Sequence, residues 1–265
     1  MKYYLHLRDT TLVLLIGSGG QLLDGTMGMG FGVFSASLLL TAGFPPASVV
    51  PTVNMAKILT GFLSGLAHWR AGNVRWDLLA PLLIPGVIGG ITGAYFLASV
   101  PQESFRFWMS VVLVGMGLLM LWRALSPTFT FPGSHSNESS LRPFRRFVLA
   151  ALGLAAGFLN AMSGAYGPFA TSAVILTGRK KPSQAVGTVN FAEFFVASAV
   201  VLTFLSEAGL HIFSWKLALA LTLGGALTAP LAAHACRRLP PRMLQLGVGL
   251  ALISLNLRVV ISRII

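Results

Sequence analysis

Long apolar stretches follow one another along nearly the whole chain. A helix needs about 20 apolar residues to cross the hydrocarbon core of a bilayer, and most of the stretches reach that length. The pattern therefore predicts an all-α polytopic membrane protein with about eight to ten membrane helices. The stretches fall at 10–42, 47–69, 76–99, 104–125, 147–178, 182–206, 212–235 and 240–262.

The two longest stretches, 10–42 and 147–178, are each predicted to form a broken helical hairpin. Each is too long for one span and too short for two, and glycine and polar residues interrupt its middle. Two arms of about 14 residues would each reach about 21 Å, past the midplane of a core about 30 Å thick. We expect each hairpin to enter and leave the membrane on one side, with its tip inside.

The chain contains an internal repeat. Residues 24–28, Asp-Gly-Thr-Met-Gly, match residues 160–164, Asn-Ala-Met-Ser-Gly, at an offset of 160 − 24 = 136. The tripeptide Thr-Val-Asn at 52–54 recurs at 188–190, and 188 − 52 is again 136. An ungapped repeat over this length predicts two copies of one structural unit.

A polar segment separates the two copies. Residues 126–146 are rich in serine, threonine and proline, which is typical of a flexible linker. The predicted organisation is a first membrane repeat at 1–125, a cytoplasmic linker at 126–146 and a second membrane repeat at 147–265. Each repeat would hold one broken hairpin and three transmembrane helices.

The distribution of lysine and arginine predicts the orientation of the copies. The turns near 45, 101 and 209 carry few basic residues, so the positive-inside rule places them outside the cell. Position 45 is then outside and its repeat-mate 181 is inside, which makes the two copies inverted. Inverted repeats are a common architecture of secondary transporters. The basic clusters assigned to the cytoplasm lie at 70–75, 123–146, 179–181 and 237–242.

Composition excludes several classes of protein. Only 10% of the residues are charged, against about 25% in soluble domains. The net charge of +12 is explained by cytoplasmic loops, so we predict no nucleic-acid partner. Cys236 is the sole cysteine, which excludes an intramolecular disulfide and a cysteine metal cluster. The chain shows no nucleophile–base–orienter set, so we predict neither an enzyme nor a bound cofactor or metal.

The hairpin tips are the first candidate binding site. Non-helical backbone at membrane depth is tolerated only beside protein or a water-filled cavity, and the N–H groups at helix starts bind anions. Close packing of small residues between helices is the alternative. The predicted substrate-binding residues of the tips are Gly28, Gly30, Gly32, Ser163 and Gly164.

The two Thr-Val-Asn segments are the second candidate. Thr52, Asn54, Thr188 and Asn190 all lie well inside apolar stretches. Amide and hydroxyl groups donate hydrogen bonds to an oxyanion, so we predict that these four residues bind substrate. Hydrogen bonding that merely holds helices together is the alternative.

Three ionisable residues lie within the predicted membrane helices. Lys57 and Glu193 occupy one repeat position, since 193 − 57 = 136, and Asp24 has the neutral counterpart Asn160. Ionisable groups inside a membrane are costly and usually paired or functional. Lys57 and Glu193 either pair near the pseudo-twofold axis or act separately, Lys57 on an anion and Glu193 on a proton. Asp24 is a further candidate for coupling to a proton or cation.

The same residues carry a resemblance to a known family. Asp24-Gly-Thr-Met-Gly-Met-Gly-Phe-Gly32, Pro46, Thr52-Val-Asn54, the basic turn from Arg70 to Trp76 and Pro85-Gly-Val-Ile-Gly-Gly90 resemble the sulfite exporter TauE/SafE family. The resemblance implies an ion-coupled carrier in the bacterial inner (plasma) membrane. Its substrate would be sulfite, sulfoacetate or another sulfonate, moved as a small anion by export. An anion channel is the alternative, and the sequence leaves the oligomeric state open.

Overall fold

A computed structural model describes residues 7–28, 30–126, 142–176, 182–235 and 241–264. Most of the predicted linker, the basic cluster at 179–181, Arg237, Arg238 and Cys236 lie outside these ranges. Within them the chain is helical and has no strand, so the predicted all-α fold is confirmed. The helices are α1 (Leu7–Met27), α2 (Phe31–Thr41), α3 (Pro46–Arg70), α4 (Trp76–Ala98), α5 (Gln102–Leu125), α6 (Arg142–Ser163), α7 (Tyr166–Leu176), α8 (Pro182–Ala208), α9 (Trp215–Ala235) and α10 (Pro241–Ile264).

Six helices of the described ranges are long and apolar enough to cross a membrane. Their lengths of 18 residues or more meet the thickness of the hydrocarbon core. This establishes a multi-pass α-helical membrane protein, as the apolar stretches predict. The spans are Pro46–Arg70, Trp76–Ala98, Ser104–Leu125, Arg146–Ser163, Ser183–Ala208 and Gln245–Ser262.

The two long apolar stretches are broken, but their arms are unequal. α1 and α2 have 21 and 11 residues, and α6 and α7 have 22 and 11, so the expectation of arms of about 14 residues is wrong. Two features explain the difference: the first arms begin before the apolar stretches, at Leu7 and Arg142, and each break lies about two residues past the centre of its stretch. Gly28 (φ 66°) and Gly164 (φ 73°) adopt the left-handed conformation that ends a helix, and both lie towards the C-terminal side of the stretch.

The first of these elements is a hairpin, because α2 folds back along α1. A Cβ atom built on Gly19 would lie 3.3 Å from the ring of Phe34, and one built on Gly30 would lie 2.7 Å from the Cβ of Leu23. Residue numbers therefore rise along α2 as they fall along the facing part of α1. The short arm α2 reaches only about 16 Å, half the hydrocarbon core.

Equivalent helices of the two halves cross in antiparallel directions. On α3 and α8, Lys57 meets Glu193 and Ser64 meets Asn190, so one helix rises while the other falls. α5 and α10 are also antiparallel, because Gly117 lies against Leu252 and Gly249 lies against Leu121. Opposite directions of equivalent helices are the geometry of an inverted repeat.

Glycines bring the remaining helices into close backbone contact. A Cβ on Gly157 of α6 would collide with the carbonyl oxygen of Gly86 on α4, and one on Gly224 of α9 would collide with the carbonyl oxygen of Leu14 on α1. Small residues allow this approach in membrane bundles. The pairs α4–α6 and α1–α9 are equivalent under the repeat. The same kind of close glycine contact therefore joins the first half to the second at both places.

Candidate functional site

The two hairpin tips meet at the middle of α3. A Cβ on Gly32, near the start of α2, would collide with the carbonyl oxygen of Gly164 and would lie 2.8 Å from Nζ of Lys57. A Cβ on Gly164 would lie 3.0 Å from Cα of Gly32. The tips are therefore in direct backbone contact, and both lie beside the Lys57 ammonium group.

Lys57 is the hub of this region. Its side chain is buried and forms an ion pair with Glu193, which is also buried. The ammonium group also donates to Oδ1 of Asn160 and to the carbonyl oxygen of Gly164, both at 3.0 Å. An ammonium group has three donors, and each of them has a partner. The structure thus joins Lys57 and Glu193, the first of the two arrangements that the sequence left open.

Asp24 adds a second buried carboxylate. Its Oδ1 accepts a hydrogen bond of 3.1 Å from the backbone N–H of Gly30, and its charge interacts with both Glu193 and Lys57. The central cluster of Asp24, Lys57 and Glu193 therefore holds two acidic groups and one basic group. When all three are ionised, one negative charge is left without a cation among these residues.

Asn54 and Asn160 connect α3 to the second tip. Asn160 donates from Nδ2 to Oδ1 of Asn54 at 2.7 Å, while Asn54 donates to the carbonyl oxygen of Val50 at 3.0 Å. Asn160 therefore presents its oxygen to Lys57 and its nitrogen to Asn54. The sequence indicated Asn160 only as the neutral counterpart of Asp24, so its place at the hub was missed.

Asn190 has different surroundings from its repeat-mate Asn54. It donates from Nδ2 to Oγ of Ser64 at 3.0 Å. Its Oδ1 is buried and lacks a hydrogen-bond partner within the described ranges. Leaving a buried acceptor without a donor costs free energy. The Asn190 oxygen is therefore a candidate contact for a hydrogen-bond donor of a bound ligand.

Thr52 and Thr188 have a structural role that the sequence did not predict. Thr52 Oγ1 accepts from the backbone N–H of Ser214, and Thr188 Oγ1 accepts from that of Arg75, both at 3.0 Å. Ser214 and Arg75 immediately precede α9 and α4, where N–H groups lack partners in the helix itself. Each threonine therefore fastens the start of a helix in the other half, which gives no support to the prediction that it binds substrate.

The substitution Thr52→Val is expected to lower the free energy of unfolding by about 1–3 kcal/mol, because it leaves a backbone N–H without its acceptor. Substrate affinity should stay unchanged. Thermal unfolding and equilibrium binding measure the two effects. The control is Thr92→Val, whose hydroxyl bonds only to carbonyls of its own helix. A loss of affinity without a loss of stability would return Thr52 to the binding site.

The other predicted tip residues are engaged within the tips. Ser163 donates to the carbonyl oxygen of Leu159 in its own helix at 3.1 Å. The carbonyl oxygen of Gly28 accepts from Thr171 Oγ1 of α7 at 2.8 Å, which ties the first tip to the second hairpin. The N–H of Gly30 is used by Asp24. Of these three bonds, only the one between Thr171 and Gly28 joins the two hairpins.

Tyr166 is a buried polar residue that sequence reasoning missed. It is the first residue of α7 and is completely buried, and its hydroxyl has no hydrogen-bond partner among the residues that the structure describes. It follows Gly164 by two residues, and the carbonyl oxygen of Gly164 accepts a hydrogen bond from Lys57. The only signal in the sequence was an aromatic residue with a polar end in the second tip.

The comparisons with known proteins agree with this architecture. The family model described as sulfite exporter TauE/SafE matches residues 13–259. The chain belongs to the sulfite exporter TauE/SafE family. This TauE/SafE protein is also 34% identical to "Probable membrane transporter protein YtnM" of Bacillus subtilis (strain 168), over 249 residues, which cover 94% of this chain and 81% of that protein. No solved structure matches it.

Membership of the TauE/SafE family identifies the protein as a membrane transporter rather than an enzyme. The structure is consistent with that class in its multi-pass helical fold. Within the described ranges, no group of three or more histidine, cysteine, aspartate or glutamate residues is placed to hold a metal ion. The chemistry of the central region is therefore that of one lysine, two carboxylates and the asparagine amides.

Proposed function

We propose that this TauE/SafE protein is a secondary transporter that exports a small organosulfur anion, such as sulfite, sulfoacetate or another sulfonate. It would work by alternating access around a central site between the two hairpin tips, coupled to a proton or another ion. The observation that carries the proposal is Lys57, a buried cation that lies beside Gly32 of the first tip, donates to the second tip and is paired with Glu193.

An anion would bind by competing with Glu193 for the Lys57 ammonium group. Removing one partner of a buried ion pair leaves an uncompensated charge, which costs several kcal/mol. Glu193 or Asp24 would therefore take up a proton, or a cation would enter, when the anion binds to Lys57. By linkage, each event favours the other, and the outward gradient of the anion supplies the driving force for export.

The contact between Gly32 and Gly164 supports a carrier over an anion channel. In this conformation the backbones of the two tips touch, and a Cβ atom added to Gly32 would collide with the carbonyl oxygen of Gly164. A channel needs a continuous path, whereas a carrier needs a barrier that opens on one side at a time. Separation of the tips would be the step that admits the substrate.

Counterflow in proteoliposomes tests the proposed function. We expect labelled sulfite or sulfoacetate to exchange against the unlabelled anion, with a rate that responds to a pH gradient. Taurine, which carries an ammonium group and no net charge, serves as the comparison. Flux of a neutral amine with no flux of any anion would contradict the proposal, and large single-molecule conductance in bilayers would favour the channel.

Asp24→Asn is expected to separate transport from coupling. Asparagine keeps an oxygen for the Gly30 N–H and reproduces the residue found at the equivalent position, Asn160. The tip should therefore keep its shape while the cluster loses its unbalanced negative charge. Counterflow at equal pH should persist, whereas accumulation driven by a pH gradient should fall to background.

The matched control for Asp24→Asn is Asp77→Asn. Asp77 is a more exposed carboxylate paired with Arg75, so its neutralisation should leave both assays unchanged. If Asp24→Asn retains full gradient-driven accumulation, Asp24 has no part in coupling.

A further inference from the structure

A second polar pocket lies apart from the hairpin tips. It has a volume of about 500 Å³ and opens between the end of α2, the first turns of α5 and the last turns of α10. Thr41, Arg106, Ser110, Asn256, Arg258 and Ser262 supply its polar lining. None of these residues belongs to the central cluster.

The inner part of this pocket contains an unsatisfied hydroxyl group. Ser110 is completely buried, and its Oγ has no hydrogen-bond partner among the described residues. Asn256 beside it is also buried and donates to Oγ of Ser37 on α2 at 2.7 Å. Buried hydroxyl groups normally have a partner, so the pocket offers Ser110 to a ligand with an acceptor oxygen.

The rim of the pocket is positively charged. Arg106 and Arg258 both line it and are exposed, and neither forms an ion pair with a carboxylate whose side chain the structure describes. The N-terminus of α5 adds to the positive potential, while the C-termini of α2 and α10 oppose it. Each helix end counts for about half a charge, so the two guanidinium groups dominate.

The location of these arginines departs from the loop-charge pattern of the chain. Arg106 follows the turn near 101, and α2 ends at the turn near 45, two turns that the positive-inside rule places outside. The turns near 45 and 101 carry few basic residues, so two arginines at one pocket beside them call for a local explanation. Guanidinium groups match the planar edges of oxyanions and bind them through paired hydrogen bonds.

We propose that this pocket is an oxyanion-binding site on the outer face, in which Arg106 and Arg258 hold the ligand and Ser110 donates a further hydrogen bond. Its ligand is a small sulfur or phosphorus oxyanion free in solution. A phospholipid headgroup carries the same chemistry, so the test separates the two sources. The site rests on its own residues and stands whether or not the central cluster carries the same anion.

The pocket is connected to the central site through α2. Leu40 and Thr41 at the end of this helix line the pocket, and Gly32 near its start touches the second tip. Nine residues separate Gly32 from Thr41 within this helix, so the two regions are about 14 Å apart along it. An anion bound at the rim therefore lies at the outer end of α2, and the inner end of the same helix contacts the second hairpin tip.

Thiol modification at the pocket measures its electrostatic potential without relying on transport. Ser262→Cys in a Cys236→Ser background places one thiol at the rim, and the protein is reconstituted in nanodiscs of phosphatidylcholine. We expect the anionic reagent sulfonatoethyl methanethiosulfonate to react faster than the cationic trimethylammonioethyl reagent. Arg106→Gln with Arg258→Gln should lower this preference by about tenfold or more, the range of electrostatic steering.

Protection by inorganic sulfate tests binding directly. Millimolar sulfate should slow modification by a neutral thiol reagent, and the double arginine variant should lose this protection. Arg242→Gln, at the opposite end of α10, is the matched control and should keep both the preference and the protection. Ser110→Ala should weaken protection while leaving the reagent preference intact, because it removes a donor and no charge.

Two results would overturn the assignment. One is equal modification rates for the two charged reagents with no protection by sulfate, in a variant that elutes as folded protein on size exclusion. The other is protection of the thiol by phosphatidylglycerol in the nanodisc but not by sulfate. That result would identify the ligand as a lipid headgroup. Loss of counterflow alone bears on the proposed function and leaves this site unaffected.

Discussion

Lys57→Met is expected to abolish anion counterflow. The substitution removes the cation that lies beside Gly32 of the first tip and donates two hydrogen bonds to the second, and it leaves Glu193 buried without its partner. Breaking one side of a buried ion pair costs about 3–5 kcal/mol, so the variant should also unfold at a lower temperature. Transport in proteoliposomes and thermal unfolding in detergent measure the two effects separately.

A second substitution distinguishes loss of function from loss of folding. Lys57→Met combined with Glu193→Gln removes both charges, so most of the lost stability should return, while counterflow stays absent. Lys216→Met, on the exposed first turn of α9, is the control and should leave both measurements unchanged. Counterflow by the double variant would show that the anion does not need the Lys57 ammonium group.

Gly32→Ala is expected to be the most disruptive change of a single carbon atom at the site. The added Cβ would collide with the carbonyl oxygen of Gly164 and press on the Lys57 ammonium group. Because the obstacle on one side is backbone, the tips must separate rather than adjust a side chain. Overpacking typically costs about 1–3 kcal/mol, and the closed state of the cycle should be lost together with counterflow.

The matched control is Gly115→Ala, within α5. A Cβ there would meet no atom within 4 Å, and alanine favours helix over glycine by about 1 kcal/mol. This variant should be as stable as the parent protein or more so, with normal counterflow. If Gly32→Ala matches Gly115→Ala in stability and rate, contact between the tips is not part of the cycle.

The sequence predicts the helices and the hairpin tips well, because both depend on local signals. Apolar length sets the spans, and the polar, glycine-rich segments around Gly28 and Gly164 mark the breaks. The lengths of the hairpin arms were not predictable in the same way. A break at the centre of an apolar stretch was assumed, whereas the left-handed glycine that ends each first arm lies further along.

The partners of buried polar residues were harder to predict than their positions. The repeat placed Lys57 and Glu193 at one equivalent site, which was enough to suggest a pair near the symmetry axis. Thr52 and Thr188 share that equivalence, yet each bonds to a turn in the opposite half. Periodicity indicates that a residue is buried, but its partner is set by the crossing of helices that are distant in sequence.

Asn160 and Asn190 show most clearly that the repeat does not predict the partners of buried polar residues. By repeat position, Asn160 corresponds to Asp24 and Asn190 to Asn54, so identical roles would be expected for the two asparagines at 54 and 190. The structure gives Asn54 a partner on the second tip, whereas Asn190 Oδ1 has none among the residues that the structure describes. Such asymmetry arises from the different residues opposite each position, which a comparison of the halves alone does not reveal.

The short second arms of the hairpins have a consequence for the tightness of the membrane. α2 and α7 have 11 residues each, so each reaches about 16 Å, roughly half the hydrocarbon core. In the proposed alternating-access cycle, each arm would block one half of the membrane thickness, and one would stay in place while the other moves. A continuous path for protons would then open only if both arms were displaced at once.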